Sequence, residues 1–405
     1  MRRLALSALA LAFLTPMLAH AASAPAAATS DVRSHIDAVI DRAIAEQRIV
    51  GAVVLVSRDG KLVYERAAGL ADREAKRPMK TDIVFRLSSV SKPVVSAAAL
   101  ALVDQGKLSL DDPVTKWLPE FRPKLASGAA PTITVRQLLT HTAGLGYKFA
   151  EKPGTAYYRA GVSDGFDELR ISLDENVRRL ASVPLFNAPG EAFRYSVSID
   201  VLGAVLEKAS GKALPQVVAE TVTQPLGMRD TGFWAKEPAR LAVPYHDAKP
   251  APAKMEDPYV MAFGEGGQMT YSPSRALDQK AFPSGGAGMV GTAPDIMRLL
   301  EAIRSGGKPI MSAATAASMM RNQIGSLAGP GPGTGFGFGG AVVVDPAAAH
   351  TRGAKTWQWG GVYGHSWFVD PERKLTVVAL TNTALEGMWG KFTTDLRDAV
   401  YESVQ

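Results

Sequence analysis

The sequence predicts an α+β protein: an antiparallel sheet flanked by helices, formed by both ends of the chain, with a mostly helical domain inserted between them. Three observations predict it. Alternating apolar residues with a hairpin signal lie near the N terminus. Strand patterns return only after residue 335. Between them, residues 111–282 read as helices joined by long polar, Gly- and Pro-rich stretches such as 151–165 and 248–267. The organisation expected is a signal peptide over 1–21, a flexible tether over 22–30, a discontinuous α/β domain from 31–110 and 283–405, and the helical domain over 111–282.

Each element follows from its residues. Ile36, Val39, Ile40 and Ile44 recur at helical spacing and place a helix over 31–47. The apolar run 51–57 and the segment 61–65 read as strands, and Asp59-Gly60 between them is a hairpin turn. A helix rich in Val, Ala and Leu follows Lys92 and stops near Gly106, a residue suited to the position after a helix end. Asp111-Asp112-Pro113 is expected to open another helix, with an acidic cap and Pro in the first turn. Strands follow over 336–344, 362–370 and 375–381, and a last helix over 389–402. No internal repeat is visible.

Composition narrows the function. The chain has 405 residues, 46% hydrophobic and 21% charged, ordinary for a globular protein with one large core or two lobes. Its net charge of +6 is scattered, with basic runs no longer than pairs such as Arg178-Arg179, so nucleic acid is not expected as a partner. Arg2 and Arg3, the apolar run 4–14 and the small-residue site Ala19-His20-Ala21 have the order of a secretory signal cleaved after Ala21. An exported protein, periplasmic or secreted, is therefore expected. No later segment approaches the length of a bilayer span, so stable membrane insertion is not expected. The absence of cysteine excludes thiol nucleophiles and thiolate metal sites, and the six His do not pair at ligand spacing. Neither metal nor cofactor is expected.

Two motifs compete for a nucleophile. Gly161-Val162-Ser163-Asp164-Gly165 matches the G-x-S-x-G elbow, which needs a buried strand before the serine. The preceding 155–160 are polar and loop-like, so Ser163 is read as a loop residue. The rival is Ser89-Val90-Ser91-Lys92. Positions i and i+3 share a helix face, which puts an amine beside the Ser89 hydroxyl. A desolvated lysine loses proton affinity and its amine can then take a serine proton. The spacing recurs at Ser305-Gly306-Gly307-Lys308, but at a Gly-Gly turn. Ser89 instead begins the most apolar helix, where backbone N–H groups favour developing negative charge. Pro93 disfavours helical geometry at Lys92, so a distorted first turn is expected.

Residues 85–92, Phe-Arg-Leu-Ser-Ser-Val-Ser-Lys, resemble the nucleophile motif of class C β-lactamases and their esterase relatives. Segments 138–145, Pro225-Leu226-Gly227-Met228 and 285–289 match the same family in order, so that the resemblance covers about residues 35–400. It implies the serine β-lactamase and penicillin-binding-protein fold, with Ser89 forming the acyl-enzyme. The family's Tyr-x-Asn motif aligns with Tyr195-Ser196-Val197 and implies Tyr195 as a proton carrier with Lys92; Val197 replaces the Asn. The Lys/His-Thr-Gly motif aligns with Trp359-Gly360-Gly361, and the resemblance implies an oxyanion hole from the N–H groups of Ser89 and Val362.

These departures separate activities. Trp359 and Val197 offer apolar surface in place of a cation and an amide, which suits an uncharged ester. The pattern is similar to family VIII carboxylesterases, so hydrolysis of short-chain esters is expected. The alternatives are a β-lactamase or D-alanyl-D-alanine carboxypeptidase, an acyltransferase, and, from another class, a non-catalytic penicillin-binding sensor. The substrate pocket is expected to include Trp359, Gly360, Gly361, Val197 and Tyr147. Trp359 is otherwise core, and Tyr147 otherwise a surface-loop residue. His141 and His365 read as structural. Asp200 either orients the site or is a helix-surface charge.

Overall fold

The computed structural model describes residues 26–351 and 353–403. The expected signal peptide and residues 22–25 of the expected tether lie outside them. Helix α1 (Ala26–Ala45) starts five residues before the expected Asp31, so 26–30 are helical and not tether; an Ala-rich run has the highest helix propensity. Strands β1 (Gly51–Arg58) and β2 (Lys61–Asp72) form the hairpin. Asp59 and Gly60 both have positive φ, 51° and 79°, as a type I′ turn requires. Strand β3 (Arg77–Pro78) extends the sheet and β4 (Phe85–Arg86) leads to helix α2 (Ser91–Asp104).

The insertion carries short helices: α3 (Val135–Leu139), α4 (Ala156–Arg159), α5 (Leu173–Ala181), α6 (Ser198–Ser210) and α7 (Leu214–Val218). The helix expected after Asp112 is a single 3-10 turn, Val114–Lys116. Asp112 does not cap it: its carboxylate accepts from the Ser109 N–H at 3.1 Å and from Lys116 at 2.9 Å. Pairs β5 (Tyr245–His246) with β6 (Ala253–Lys254), and β7 (Tyr259–Phe263) with β8 (Gly267–Tyr271), add two small hairpins where loops are expected.

Strand β9 (Val290–Gly291) pairs with β4, and helices α8 (Ala293–Arg304) and α9 (Ala313–Met319) follow. The single strand expected over 336–344 is a hairpin, β10 (Thr334–Phe336) with β11 (Ala341–Val343), because Gly339 turns the chain at φ 84°. Trp359-Gly360-Gly361 lies within its own strand, β12 (Trp357–Gly361), and Val362 sits in the turn to β13 (His365–Asp370), not in a strand starting at 362. Strand β14 (Leu375–Thr381) matches its expected span, and α10 (Glu386–Trp389) and α11 (Lys391–Ser403) end the described chain.

The sheet order is β10-β11-β12-β13-β14-β1-β2-β3, antiparallel throughout, and β14 against β1 joins the two ends of the chain. Both faces are covered. Val53 and Leu55 face a core with α2, α6 and α8, while Val54 and Val56 face one with α1 and α11. That is why β1 reads Val-Val-Leu-Val with no polar alternation. The first face carries β12 against the start of α2.

Candidate active site

Ser89 lies in a 3-10 turn (Ser88–Val90) that runs directly into α2, the distortion expected of Pro93. Ser88 takes φ 47°, uncommon for a residue with a Cβ. The turn is fastened by the segment 285–289: the Leu87 N–H donates to the Met289 carbonyl at 2.9 Å, and the Met289 N–H donates to Ser91 Oγ at 3.1 Å. Ser89 is buried, with 6% of its surface exposed.

Lys92 is fully buried one turn on. Its Nζ donates to Ser89 Oγ at 3.1 Å and to the Gly286 carbonyl at 2.8 Å. A Cβ on Gly286 would stand 3.0 Å from Asp200 Oδ2 and 3.3 Å from the Tyr147 hydroxyl, so both would have to give way slightly, and in ordinary contact at 3.6 Å from Lys92 Nζ. Asp200 is fully buried on α6 and accepts from the Gly286 N–H at 3.3 Å. It is no surface charge. Burial pushes its carboxyl up, against the opposing pull of Ser284, Lys92 and that N–H.

Tyr195 donates from its hydroxyl to Ser89 Oγ at 2.7 Å, and its ring lies 4.6 Å from Lys92 Nζ. His141 sets its position. The His141 carbonyl accepts from the Arg194 N–H at 2.8 Å, and its Nδ1 accepts from the Ser196 N–H at 3.2 Å. Because a main-chain N–H only donates, Nδ1 is the acceptor and Nε2 carries the hydrogen. Burial and the nearby Lys92 push the His141 imidazole well below its ordinary range. His141 is structural, as its sequence context suggests. So is His365, whose Nε2 meets the Arg86 carbonyl at 2.8 Å and braces the strand that enters the Ser89 turn.

Strand β12 closes the other side. Trp359, partly exposed, donates from its indole Nε1 to the Tyr195 hydroxyl at 3.3 Å. Gly361 packs so tightly that a Cβ would fall 2.4 Å from the Leu87 carbonyl oxygen. The Val362 carbonyl accepts from the Tyr271 hydroxyl at 3.4 Å, which holds the turn beside the site. Three expected lining residues sit behind the surface. Val197 is fully buried in the core before α6, a correction to its reading as pocket lining. Tyr147 is 3% exposed, neither open pocket nor surface loop: it stacks on Phe149 and tilts against Tyr195. Gly360 is covered by Met388.

The rival serines are elsewhere. Ser163 is buried in a loop, with its hydroxyl on Asp167 at 2.5 Å and its N–H on Asn176 at 2.8 Å. Ser305 ends α8, before Gly306 and Gly307 at positive φ. Concavities of about 520 and 350 Å³ lie against Phe233 and Trp234, and against Arg170 and Arg275; neither is lined by Ser89, Lys92 or Tyr195. One supporting group escapes motif reading, the Gly286 carbonyl, which carries no side-chain signal; of the two readings open for Asp200, its full burial against Gly286 leaves the one that orients the site.

A serine hydroxyl at a helix start, contacted by an amine and a phenol beside strand β12, defines a serine hydrolase of the acyl-enzyme type. The chain belongs to the β-lactamase family, whose model matches residues 36–400. It is 53% identical over 378 residues to Esterase EstB of Burkholderia gladioli, covering 92% of this chain and 96% of the relative. Its structure superposes with a TM-score of 0.91 and 49% identity on EstCE1, a hydrolase with promiscuous acyltransferase activity, over 92% of this chain and 99% of that one. Simvastatin synthase (LovD) of Aspergillus terreus shares the fold at a TM-score of 0.71 and 23% identity, over 92% and 98% of the two chains.

Proposed function

We propose that the protein is a serine carboxylesterase hydrolysing short-chain, uncharged esters through an acyl-enzyme on Ser89. One observation carries it: Ser89 Oγ lies 3.1 Å from the Lys92 amine and 2.7 Å from the Tyr195 hydroxyl. In the first step Ser89 Oγ gives its proton to the Lys92–Tyr195 pair and bonds to the ester carbonyl carbon. The oxyanion formed is held by the Ser89 and Val362 N–H groups. Collapse breaks the bond to the alcohol oxygen, which takes a proton from Tyr195, and water repeats the sequence to release the acid. Trp359, apolar and bonded to the Tyr195 hydroxyl, stands where a cation would recognise a carboxylate. The esterase name of the relative at 53% identity supports the same choice.

A panel of p-nitrophenyl esters run beside nitrocefin, on wild type and Ser89→Ala, tests this. Ester turnover that falls at least about a thousandfold in Ser89→Ala is expected, with slower wild-type turnover of nitrocefin. Nitrocefin turned over much faster than the esters, or turnover surviving in Ser89→Ala but lost in Ser163→Ala, would overturn it. Transfer of the acyl group to an added alcohol is a second reading, favoured by the transferase activity named for EstCE1. Residues 1–21 also support export; an N terminus at Ala22 on the mature protein is the expected result.

A further inference from the structure

Among the described residues, no carboxylate forms an ion pair with the buried Lys92 amine. Its Nζ donates to two neutral oxygens, Ser89 Oγ at 3.1 Å and the Gly286 carbonyl at 2.8 Å. A buried ammonium without a counter-charge is strongly unfavourable. Gly286 carries the contact one step further, because its own N–H donates to Asp200 Oδ1 at 3.3 Å. Asp200 and Lys92 thus hold the two ends of one residue. They are also close in space: Asp200 Oδ2 and Lys92 Nζ lie 3.0 and 3.6 Å from the single point that a Cβ on Gly286 would occupy. Oδ2 has no hydrogen-bond partner among the described residues.

The groups around this pair leave Asp200 as its negative charge. Lys92 faces the Tyr195 ring at 4.6 Å, the Tyr147 ring at 5.5 Å, and His141, which burial and Lys92 itself push well below its ordinary range. Asp164, the other buried carboxylate near Tyr147, is bound by the Lys148 and Phe149 N–H groups at 2.7 and 3.0 Å. Burial opposes ionisation of Asp200, while Ser284, Lys92, the Gly286 N–H and Arg275 favour it. Arg275 is engaged elsewhere, donating to the carbonyls of Asp167 at 3.3 Å and Phe282 at 2.7 Å.

We propose that Asp200 is a positioning residue that acts through Lys92: its carboxylate is the counter-charge that keeps the Lys92 amine protonated in the resting enzyme, and so sets the pH above which ester hydrolysis begins. This rests on the esterase reading above. With Lys92 and Tyr195 both protonated and both donating to Ser89 Oγ, that oxygen has no group to receive its proton. One proton has to leave the pair before Ser89 attacks, so activity rises with pH as it does. A negative charge beside Lys92 holds that proton and moves the rise to higher pH.

Profiles of kcat/KM for p-nitrophenyl butyrate against pH, in wild type, Asp200→Asn and Asp200→Ser, test this. Asparagine keeps the shape and an acceptor for the Gly286 N–H but carries no charge. In Asp200→Asn the acid limb should move to lower pH by at least about half a unit, whatever the height of the plateau. Asp200→Ser, also neutral, should move it in the same direction. A lowered plateau with the limb unmoved is what a packing role gives, and would overturn the proposal. So would a limb moved to higher pH, or failure of both neutral variants to fold. Ser89→Ala separates the two readings. Turnover persisting there sinks the esterase mechanism, while turnover lost there with an unmoved limb in Asp200→Asn sinks only the role of Asp200.

Discussion

The Tyr195 hydroxyl donates to Ser89 Oγ at 2.7 Å. Lys92 donates to the same oxygen at 3.1 Å, so when both partners are protonated the two lone pairs of Oγ are occupied and the atom cannot attack. A reactive state therefore needs one of the pair deprotonated and accepting the serine proton. Tyr195→Phe keeps the ring packed on His141 and Tyr147 but removes that route. We expect kcat on p-nitrophenyl butyrate to fall about a hundred- to ten-thousandfold with the melting temperature little changed. A loss under tenfold would assign the proton transfers to Lys92 alone.

Gly361→Ala tests the fit of β12 against the nucleophile turn. The added Cβ would lie 2.4 Å from the carbonyl of Leu87, two positions before Ser89, and 3.3 Å from Val90, the residue after it. Backbone must move at the Ser89 turn or at β12, and with it the N–H groups proposed to hold the oxyanion. Ester turnover should drop at least about a hundredfold, roughly the loss of one oxyanion donor, and stability by about 1–3 kcal/mol in urea unfolding. Gly232→Ala is the control, since nothing lies within 4 Å of its Cβ. If both variants behave alike, close packing at Gly361 is not what shapes the site.

The Ser89–Lys92 pair is legible in the sequence because its geometry is local, the two being one helical turn apart; Tyr195 is reached only through the resemblance, as the match to a Tyr-x-Asn motif whose Asn is Val197 here. The β1–β2 hairpin and β14 are legible for the same reason, since Asp59-Gly60 and an unbroken apolar run suffice. What fails depends on distant partners. Asp112 looks like a cap but is taken by Ser109 and Lys116. Val197 looks like a pocket residue only while its burial is unknown. The bond from the Lys92 amine to the Gly286 main-chain carbonyl joins residues 194 positions apart, and no side-chain pattern encodes its acceptor.

Ser163→Ala should hurt folding and spare chemistry. Its hydroxyl donates to Asp167 at 2.5 Å in a buried loop where Asp167 also pairs with Lys148 at 3.0 Å. Removing the donor leaves part of a buried carboxylate unpaired, worth about 1–3 kcal/mol. Urea unfolding should show that loss while kcat stays within about twofold. A collapse of kcat with unchanged stability would return Ser163 to candidacy.

Acid should unfold the protein partly through His365. Its Nε2 faces the Arg86 carbonyl, an acceptor only, so Nε2 holds the hydrogen and Nδ1 is the site left to protonate. Nδ1 is buried and has no hydrogen-bond partner among the described residues. Burial accordingly pulls the imidazole down to about 4, against an ordinary value of 6.5. Between those values the unfolded chain binds a proton that the folded one refuses, so stability is present above pH 6.5 and is lost as pH falls toward 4. The shift corresponds to about 3 kcal/mol. His365→Gln keeps an N–H for Arg86 but cannot titrate. Unfolding free energies from urea titrations at pH 7, 6, 5 and 4 should therefore fall less steeply in His365→Gln than in wild type. Parallel pH profiles for the two proteins would show that His365 is protonated in the folded state, and that its brace on the Ser89 turn survives the charge.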